Sequence, residues 1–291
     1  MKDLLLITPP FTQLNTPYPA TAYLKGFLKT KNISAFQMDL GIEVILEMFS
    51  QEGLTAVFES SNTQKLTPNL QRIYSLREDY IQTINAVITF LQGKNQTLAR
   101  HICSGNFLPE ASRFQQLDDM EWAFGTMGMQ DKAKHLATLY LEDLSDFIVE
   151  CVDENFGFSR YAERLGRSAN SFDELYAHLQ KELTYIDTIT LRILENRLTE
   201  VQPQLVCISV PFPGNLYSAF RAAQFIKKHF PTVKVAMGGG FPNTELRDLK
   251  DQRVFEFFDF ITLDDGELPI ELLNIHIQNP NSNEYKRTFL L

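Results

Sequence analysis

Residues 203–240 read PQLVCISVPFPGNLYSAFRAAQFIKKHFPTVKVAMGGG and have the pattern of a complete β-α-β unit. Leu205–Val210 and Val233–Met237 are continuous apolar runs of strand length, rich in the β-branched residues that buried parallel strands use. Between them, apolar residues recur at helical spacing from Leu216 to Ile226, and a proline follows the cationic end of this segment. Because such crossovers are right-handed, the two strands are predicted to be parallel neighbours.

The loops at the carboxyl ends of these two strands are where a ligand is expected in a parallel sheet. They are Pro211-Phe212-Pro213 and Gly238-Gly239-Gly240. Consecutive glycines expose backbone, permit positive φ and let a ligand approach closely, but a tight turn without a ligand explains them equally well. Asn215, at the start of the helical segment, is predicted to cap the helix.

The composition is that of an ordinary globular protein, with 291 residues of which 44% are hydrophobic and 22% are charged. A formal net charge of −9 and the lack of a basic stripe argue against a nucleic-acid partner. No apolar run is long enough for a membrane span or a signal peptide, so no membrane partner and a cytoplasmic location are predicted. The three cysteines, Cys103, Cys151 and Cys207, are too widely separated for a zinc knuckle or a C-x-x-C pair.

The start of the chain predicts a second β-α-β unit. Leu4–Thr8 is a buried strand halted by Pro9-Pro10, and Ile33–Met38 is the next strand, with a helix between them. Thr8, the two prolines and Asp39 should therefore reach the same sheet edge as the glycines. Asp39 is suited either to bind a ligand hydroxyl or to cap the helix that follows it.

Between residues 41 and 200 the strand signal disappears and amphipathic helical patterns replace it. Apolar stripes run through residues 70–91, 136–148 and 175–193, and a capping-box pattern at Ser171–Glu174 opens the last of these. Structureless connections beyond about 15 residues are uncommon in compact domains. Residues 41–200 are therefore predicted to be a helical insertion subdomain.

The last part of the chain predicts a strand at Phe258–Leu263 and a helix that opens at Asp264–Glu267. Residues 1–40 and 201–278 are predicted to form one discontinuous α/β domain. Its expected fold is a flavodoxin-like, Rossmann-like doubly wound parallel sheet of about five strands in the order 2-1-3-4-5. Residues 279–291 are predicted to be a linker, and its apolar end indicates a piece of a longer protein with a further C-terminal domain.

The strand ends together resemble the N-terminal cobalamin-binding domain of cobalamin-dependent radical S-adenosylmethionine enzymes. In that family a Pro-Pro pair follows the first strand, a serine lies near the end of a later strand, and a Gly-Gly and a Gly-Glu-Gly-Glu-like turn follow the last two strands. Here these positions read Pro9-Pro10, Ser209, Gly238-Gly239 and Asp264–Glu267, the last keeping two of four residues. The resemblance covers residues 2–40 and 203–275.

The resemblance implies that cobalamin lies at the C-terminal edge of the sheet. The residues that it implies for the cofactor site are Thr8, Pro9, Pro10, Ser209, Val210, Pro211, Phe212, Gly238, Gly239, Gly240, Asp265 and Gly266. The D-x-H-x-x-G loop of another cobalamin-domain type is absent after the first strand, which implies cobalamin without a protein histidine on cobalt. The five histidines, all expected in helical stretches, are His101, His135, His178, His229 and His276.

The C-x-x-x-C-x-x-C motif that holds a [4Fe–4S] cluster is absent from this chain, so no catalytic residue and no metal ligand are predicted here. S-adenosylmethionine and the cluster would belong to a radical domain in the same full-length chain. The resemblance implies that this full-length protein is a radical enzyme, for example a methyltransferase. The alternative is a cobalamin-free α/β scaffold whose helical insertion recruits a substrate or partner protein. A phosphate-binding loop and a G-x-G-x-x-G pattern are both absent, which argues against nucleotide hydrolysis and dinucleotide binding.

Overall fold

The computed structural model describes residues 4–16, 18–116, 128–167, 172–279, 281–282 and 284–291. The chain forms two compact units. The first contains residues 1–44 and 157–291, and the second contains residues 45–156. The second unit is thus shorter than the predicted helical block, because residues 157–200 pack with the sheet.

The first unit is an α/β structure built on one sheet. Its strands are β1 (Leu4–Thr8), β2 (Ala35–Asp39), β3 (Leu205–Ser209), β4 (Lys234–Gly238), β5 (Phe260–Thr262) and β6 (Thr288–Phe289). Its helices are α1 (Ala20–Thr30), α8 (Glu163–Arg167), α9 (Asp173–Leu179), α10 (Tyr185–Val201), α11 (Leu216–His229), α12 (Gly240–Glu245) and α13 (Glu267–Gln278), and α2 (Leu40–Met48) runs from this unit into the second.

The order of the strands is β2-β1-β3-β4-β5-β6. The first five are parallel, which confirms the α/β class and the predicted order of these strands, and β6 is antiparallel to β5. The sheet therefore has six strands where about five were predicted. The sixth was missed because two residues in a polar stretch carry no strand pattern.

Both faces of the central strands are buried, which explains their continuous apolar sequences. On one face, alternate residues of β1, β3, β4 and β5 pack with α1 and α13 into a single core. The residues of this core are Leu4, Leu6, Leu28, Leu205, Cys207, Ala236, Phe260, Ile270 and Leu273. This face is the one on which the candidate site lies.

The segment predicted as one helix through residues 175–193 is two helices, α9 and α10. The capping box is at the start of α10, where the Asp187 N–H donates to Thr184 Oγ1 (3.0 Å) and the Thr184 N–H donates to Asp187 Oδ2 (3.3 Å). Ser171, in the predicted capping box, lies outside the described residues. The apolar spacing continues across the break, so the sequence pattern alone did not show it.

A buried ion pair fastens α10 to α11. Arg221 Nε donates to Asp187 Oδ2 (3.1 Å), and the Tyr217 hydroxyl donates to the same oxygen (2.9 Å). The side chains of Arg221 and Asp187 are only 4% and 3% exposed. Arg221 Nη1 also donates to the Leu179 carbonyl oxygen (2.8 Å) at the end of α9. These contacts explain why α9 and α10 belong to the sheet-containing unit.

The second unit is helical in its described parts. Its helices are α3 (Gln51–Ser60), α4 (Pro68–Ser75), α5 (Arg77–Leu91), α6 (Leu98–Cys103) and α7 (Gly128–Cys151). Asp143, fully buried on α7, accepts hydrogen bonds from the N–H groups of Ala111 (3.0 Å) and Arg113 (3.1 Å). Burial raises the pKa of Asp143, and its role is to hold the loop before Ser112–Gln116 against the helix.

The last eight residues lie along the β5 edge of the sheet. The Leu263 N–H donates to the Arg287 carbonyl oxygen (2.7 Å), and the Arg287 guanidinium lies 3.6 Å from Asp264 Oδ2 and 3.8 Å from Asp265 Oδ2. Residues 284–291, predicted as part of a linker, therefore cover a strand edge and contact the turn after β5. In the parts of the chain that the structure describes, no helix is both long and apolar enough to cross a membrane.

Asp259, just before β5, accepts hydrogen bonds from three donors. Burial disfavours its ionised form, but the Val235 N–H (2.9 Å), the Lys234 ammonium (2.9 Å) and the Lys227 ammonium (3.0 Å) outweigh the burial. The pKa of Asp259 therefore lies below its ordinary value of 3.8.

The lowered pKa gives Asp259 a pH-dependent effect on stability. A carboxyl with a lower pKa in the folded than in the unfolded chain stabilises fully above its unfolded pKa, and this effect is lost as the pH falls through the folded pKa. We expect Asp259→Asn to lower the free energy of unfolding by about 1–3 kcal/mol at neutral pH. The difference should shrink below pH 3.8. Urea unfolding of both proteins across this range measures it, and a difference independent of pH would contradict the expectation.

Candidate functional site

A cavity of about 440 Å³ lies at the C-terminal edge of the sheet, against the first turns of α1 and α13. Its apolar floor includes Leu6 of β1, Cys207 of β3 and Ala236 of β4. Burial raises the pKa of the Cys207 thiol to about 12, so this part of the floor is uncharged. The cysteine and the alanine are small, which leaves the space that a larger residue would fill.

Small residues end four adjacent strands above this floor, and three of them carry a hydroxyl. Ser209 pairs in register with Gly238, and Ile7 pairs with Ile208, which places Thr8 beside Ser209 one residue further along. Side chains two residues apart on a strand face the same way. Thr8, Ser209 and, on β5, Thr262 therefore form a row of hydroxyl-bearing residues on the same sheet face as the apolar floor. Gly238 interrupts this row between Ser209 and Thr262.

Two hydroxyl groups in the cavity wall are without hydrogen-bond partners among the described residues. Ser209 at the end of β3 is 8% exposed, and Thr21 in the first turn of α1 is 7% exposed. The hydroxyl of Thr262 differs, because it donates to the Met237 carbonyl oxygen (3.2 Å). Neither oxygen is fully buried, because both open into the cavity. The two hydroxyls are therefore able to bind a polar group there.

The helices α1 and α13 both begin at the cavity. Their N-terminal flanking residues, Pro19 and Gly266, make no side-chain capping hydrogen bond. Residues of both first turns line the cavity, including Ala20 and Glu267. Because the first N–H groups of a helix have no partner within it, they add hydrogen-bond donors to this end of the cavity.

The rim of the cavity is acidic but partly neutralised. Asp264, whose φ is 59°, forms ion pairs with Arg247 and Arg287. The neighbouring Glu267 carboxylate raises the pKa of the Tyr23 hydroxyl. Asp264, Asp265 and Glu267 place three carboxylates near two arginines. The site therefore suits a neutral hydrogen-bond acceptor better than a free phosphate.

The three glycines line the cavity, but the protein itself occupies the space that their Cβ atoms would take. A Cβ on Gly239, whose φ is 107°, would lie 2.6 Å from the Val210 carbonyl oxygen, and one on Gly240 would lie 2.9 Å from the Pro211 carbonyl oxygen. The Val210 N–H also donates to the Gly238 carbonyl oxygen (2.7 Å). The glycines are thus needed for close packing of the loops after β3 and β4, a role that the sequence analysis did not assign.

In a doubly wound sheet of this order a ligand crevice is expected at the switch point between β1 and β3, but Asn215 closes it here. Its Nδ2 donates to the carbonyl oxygens of Pro9 and Phe11, both at 2.8 Å, and the side chain does not cap α11 as predicted. The competing acceptors lie on the neighbouring loop, which the local sequence does not reveal. The cavity lies over β1, β3, β4 and β5, on the face of the sheet that α1 and α13 cover.

The residues of the predicted cofactor site fall into two groups. The cavity is lined by Ser209, Gly238, Gly239, Gly240, Asp265 and Gly266. The residues outside its lining are Thr8, Pro9, Pro10, Val210, Pro211 and Phe212. All of the second group are buried except Phe212, which is 58% exposed and has its ring 6.4 Å from that of Tyr18 at the cavity wall. Asp39 caps α2 by accepting from the Ile42 N–H (3.0 Å).

Sequence analysis missed Thr21, Cys207, Ala236 and Thr262 among the lining residues. Small or hydroxyl-bearing residues two positions apart on neighbouring strands were the available signal. The five histidines all lie in helices, and no histidine is among the lining residues. Within the described ranges, no group of three or more His, Cys, Asp or Glu residues is arranged to hold a metal ion.

Comparison with known proteins leaves the geometry of the cavity as the basis for a function. No protein-family model matches the chain, and no curated protein or solved structure matches it either. The cavity is therefore interpreted from its own shape and chemistry.

Proposed function

We propose that the first unit is a cobalamin-binding module of a radical S-adenosylmethionine enzyme. In this proposal the nucleotide tail of cobalamin enters the cavity, and the corrin ring lies over the C-terminal edge of a flavodoxin-like sheet to which β6 is an addition. The observation that carries the proposal is the cavity with an apolar floor and two hydroxyls in its wall, those of Thr21 and Ser209, that have no partner among the described residues.

The dimensions of the cavity support this division of the ligand. Pockets for small molecules typically have volumes of about 300–1,000 Å³. At about 440 Å³ the cavity suits a flat heteroaromatic base with its sugar, and is too small for a whole cobalamin. Leu6, Cys207 and Ala236 would contact the base, and the hydroxyls of Thr21 and Ser209 would bind its ring nitrogen and sugar oxygens.

In this proposal cobalamin is held without a protein histidine on cobalt, and the apolar floor and the wall hydroxyls of the cavity fit the base and sugar of its tail. Bound cobalamin would supply the metal-centred chemistry, and the chain would bind and orient it. Gly239, Gly240 and the exposed ring of Phe212 lie at or beside the edge over which the corrin would extend. S-adenosylmethionine and the [4Fe–4S] cluster would be held by a radical domain of the same full-length chain.

Filling the cavity tests the proposal. Ala236 is 2% exposed on the cavity floor, and Ala236→Leu would place three further carbon atoms in the space proposed for the base. We expect this variant to stay folded and to bind hydroxocobalamin at least about tenfold more weakly than the wild type. The measurement is titration of hydroxocobalamin, with the visible spectrum of cobalamin retained after gel filtration as a second readout.

Ala177→Leu is the matched control, because Ala177 is exposed on α9 and is not among the cavity's lining residues. It should bind as the wild type does. Equal binding by Ala236→Leu and the wild type would exclude the cavity as the site. If the wild type retains no cobalamin at millimolar ligand, the cobalamin-free scaffold that recruits a partner becomes the better account. A spectrum typical of imidazole on cobalt would contradict the proposed lack of a histidine ligand.

A further inference from the structure

Thr8 carries a hydroxyl whose burial the fold alone does not explain. The residue is 1% exposed, and its Oγ1 is buried with no hydrogen-bond partner among the described residues. Pro9 and Pro10 follow it and have no N–H to offer. A valine of the same shape would leave no polar group unsatisfied at this position. Packing alone does not account for this hydroxyl, and we therefore expect it to make a hydrogen bond when a ligand is bound.

The neighbour of Thr8 on each side limits what its hydroxyl can bind. On β2 its register partner is Asp39, whose carboxylate accepts the Ile42 N–H (3.0 Å) and caps α2. On β3 the register places Ser209 beside it, at the usual separation of about 4.8 Å between strands. Ser209 lines the cavity, and its hydroxyl has no partner among the described residues. The structure shows no hydrogen bond between this hydroxyl and Thr8 Oγ1, so the two hydroxyls would have to turn toward each other when a ligand binds.

A serine hydroxyl has one proton to donate. If Ser209 donates it to a ligand, its oxygen keeps free lone pairs that accept a hydrogen bond. Thr8 Oγ1 is the buried donor beside it, and a hydrogen bond received by a hydroxyl strengthens the bond that this hydroxyl donates. A chain from Thr8 through Ser209 to the ligand would satisfy both hydroxyls.

We propose that Thr8 is a positioning residue that orients the Ser209 hydroxyl toward an acceptor atom of the ligand. Thr8 Oγ1 donates to Ser209 Oγ, and Ser209 Oγ donates to an unprotonated nitrogen or a carbonyl oxygen at the buried end of the ligand. This inference rests on the proposed binding of cobalamin in the cavity. It replaces the direct contact of Thr8 with the cofactor that the sequence resemblance implied.

The test uses the whole chain and hydroxocobalamin as the probe. Thr8→Val keeps the shape of the side chain and removes only the hydroxyl. We expect its midpoint of thermal unfolding to be equal to or above that of the wild type, because an unpaired buried hydroxyl is removed. Its affinity for hydroxocobalamin should fall about fivefold, the effect of one hydrogen bond. Thr8→Ser should restore the affinity, which a purely structural role for the methyl group would not explain.

A double-mutant cycle separates the proposed chain from two independent contacts. Ser209→Ala should lose at least as much affinity as Thr8→Val, and adding Thr8→Val to it should cost nothing further. Additive losses, or unchanged affinity in Thr8→Val, would overturn the role of Thr8 while leaving cobalamin binding intact. No binding by the wild type would overturn both proposals. If Thr8→Val does not fold, Thr8→Ala replaces it in the cycle, with the same expected non-additivity.

Discussion

Gly239→Val is expected to destabilise the first unit strongly and to abolish any ligand site at the glycine loop. The backbone of Gly239 has a φ of 107°, a conformation that is strained for any residue with a side chain. The added Cβ would also lie 2.6 Å from the Val210 carbonyl oxygen and 2.8 Å from the Val210 backbone nitrogen. Backbone strain of this kind costs about 1–3 kcal/mol, and overpacking typically adds about 1–3 kcal/mol. We therefore expect the free energy of unfolding to fall by roughly 2–6 kcal/mol.

Hydrogen exchange of the β3 and β4 amides, with urea unfolding beside it, measures the effect of Gly239→Val. Gly26→Val is the matched control, because Gly26 lies in α1 with nothing within 4 Å of its added Cβ and no positive φ. The control should be neutral or slightly stabilising, since valine has a better helix propensity than glycine. Similar stability of Gly239→Val and the wild type would show that the Val210 loop moves aside freely. Because the substitution disrupts the packing of the glycine loop against the Val210 loop, loss of ligand binding in Gly239→Val would not show that Gly239 contacts the ligand directly.

Arg221→Met should have a comparably large effect, because it removes a buried guanidinium that donates to the buried Asp187 carboxylate. The two side chains are 4% and 3% exposed, and the Tyr217 hydroxyl donates to the same carboxylate oxygen as Arg221. Removing one member of a buried ion pair typically costs about 3–5 kcal/mol. We expect a loss of this size in the free energy of unfolding, measured in urea.

The surface pair Lys31–Glu271 provides the control for this measurement. Its atoms are 3.1 Å apart, but the two side chains are 42% and 21% exposed. Exposed ion pairs contribute about 0–1 kcal/mol, so Lys31→Met should change stability little. A loss in Arg221→Met no larger than that in Lys31→Met would mean that Asp187 finds other compensation, and that α10 is fastened to α11 chiefly by apolar contacts.

The parallel strands were predictable because a strand buried on both faces needs an apolar residue at nearly every position, which the sequence shows directly. Leu4–Thr8 and Leu205–Ser209 are apolar at nearly every position and are 0–8% exposed. The membership of α8 to α10 in the sheet unit was not predictable, since an amphipathic stripe shows that a helix packs without showing what it packs against. The Asp187–Arg221 ion pair, which holds α10 against α11, joins two residues that are distant in the sequence.

The candidate site was predictable only in part. Strand ends followed by glycines indicated the edge of the sheet, and Ser209 and Gly238 do line the cavity. Thr21 was missed because a threonine in a first helical turn has no distinctive pattern. Pro9 was expected at the ligand, but its carbonyl oxygen is bound by Asn215. Contacts between loops depend on the folded arrangement of distant residues, and the local sequence does not encode them.

The short terminal strand links two properties that are usually independent. Through Arg287, residues 284–291 supply both the hydrogen bond to Leu263 at the strand edge and the charges beside Asp264 and Asp265 at the cavity rim. If residues 284–291 came away from the sheet, β5 would lose its pairing with β6, and Asp264 and Asp265 would lose the Arg287 guanidinium at the same time. If a ligand in the cavity favours the ordered rim, its binding will therefore also favour the pairing of β6 with β5 and oppose pairing of that edge with other chains.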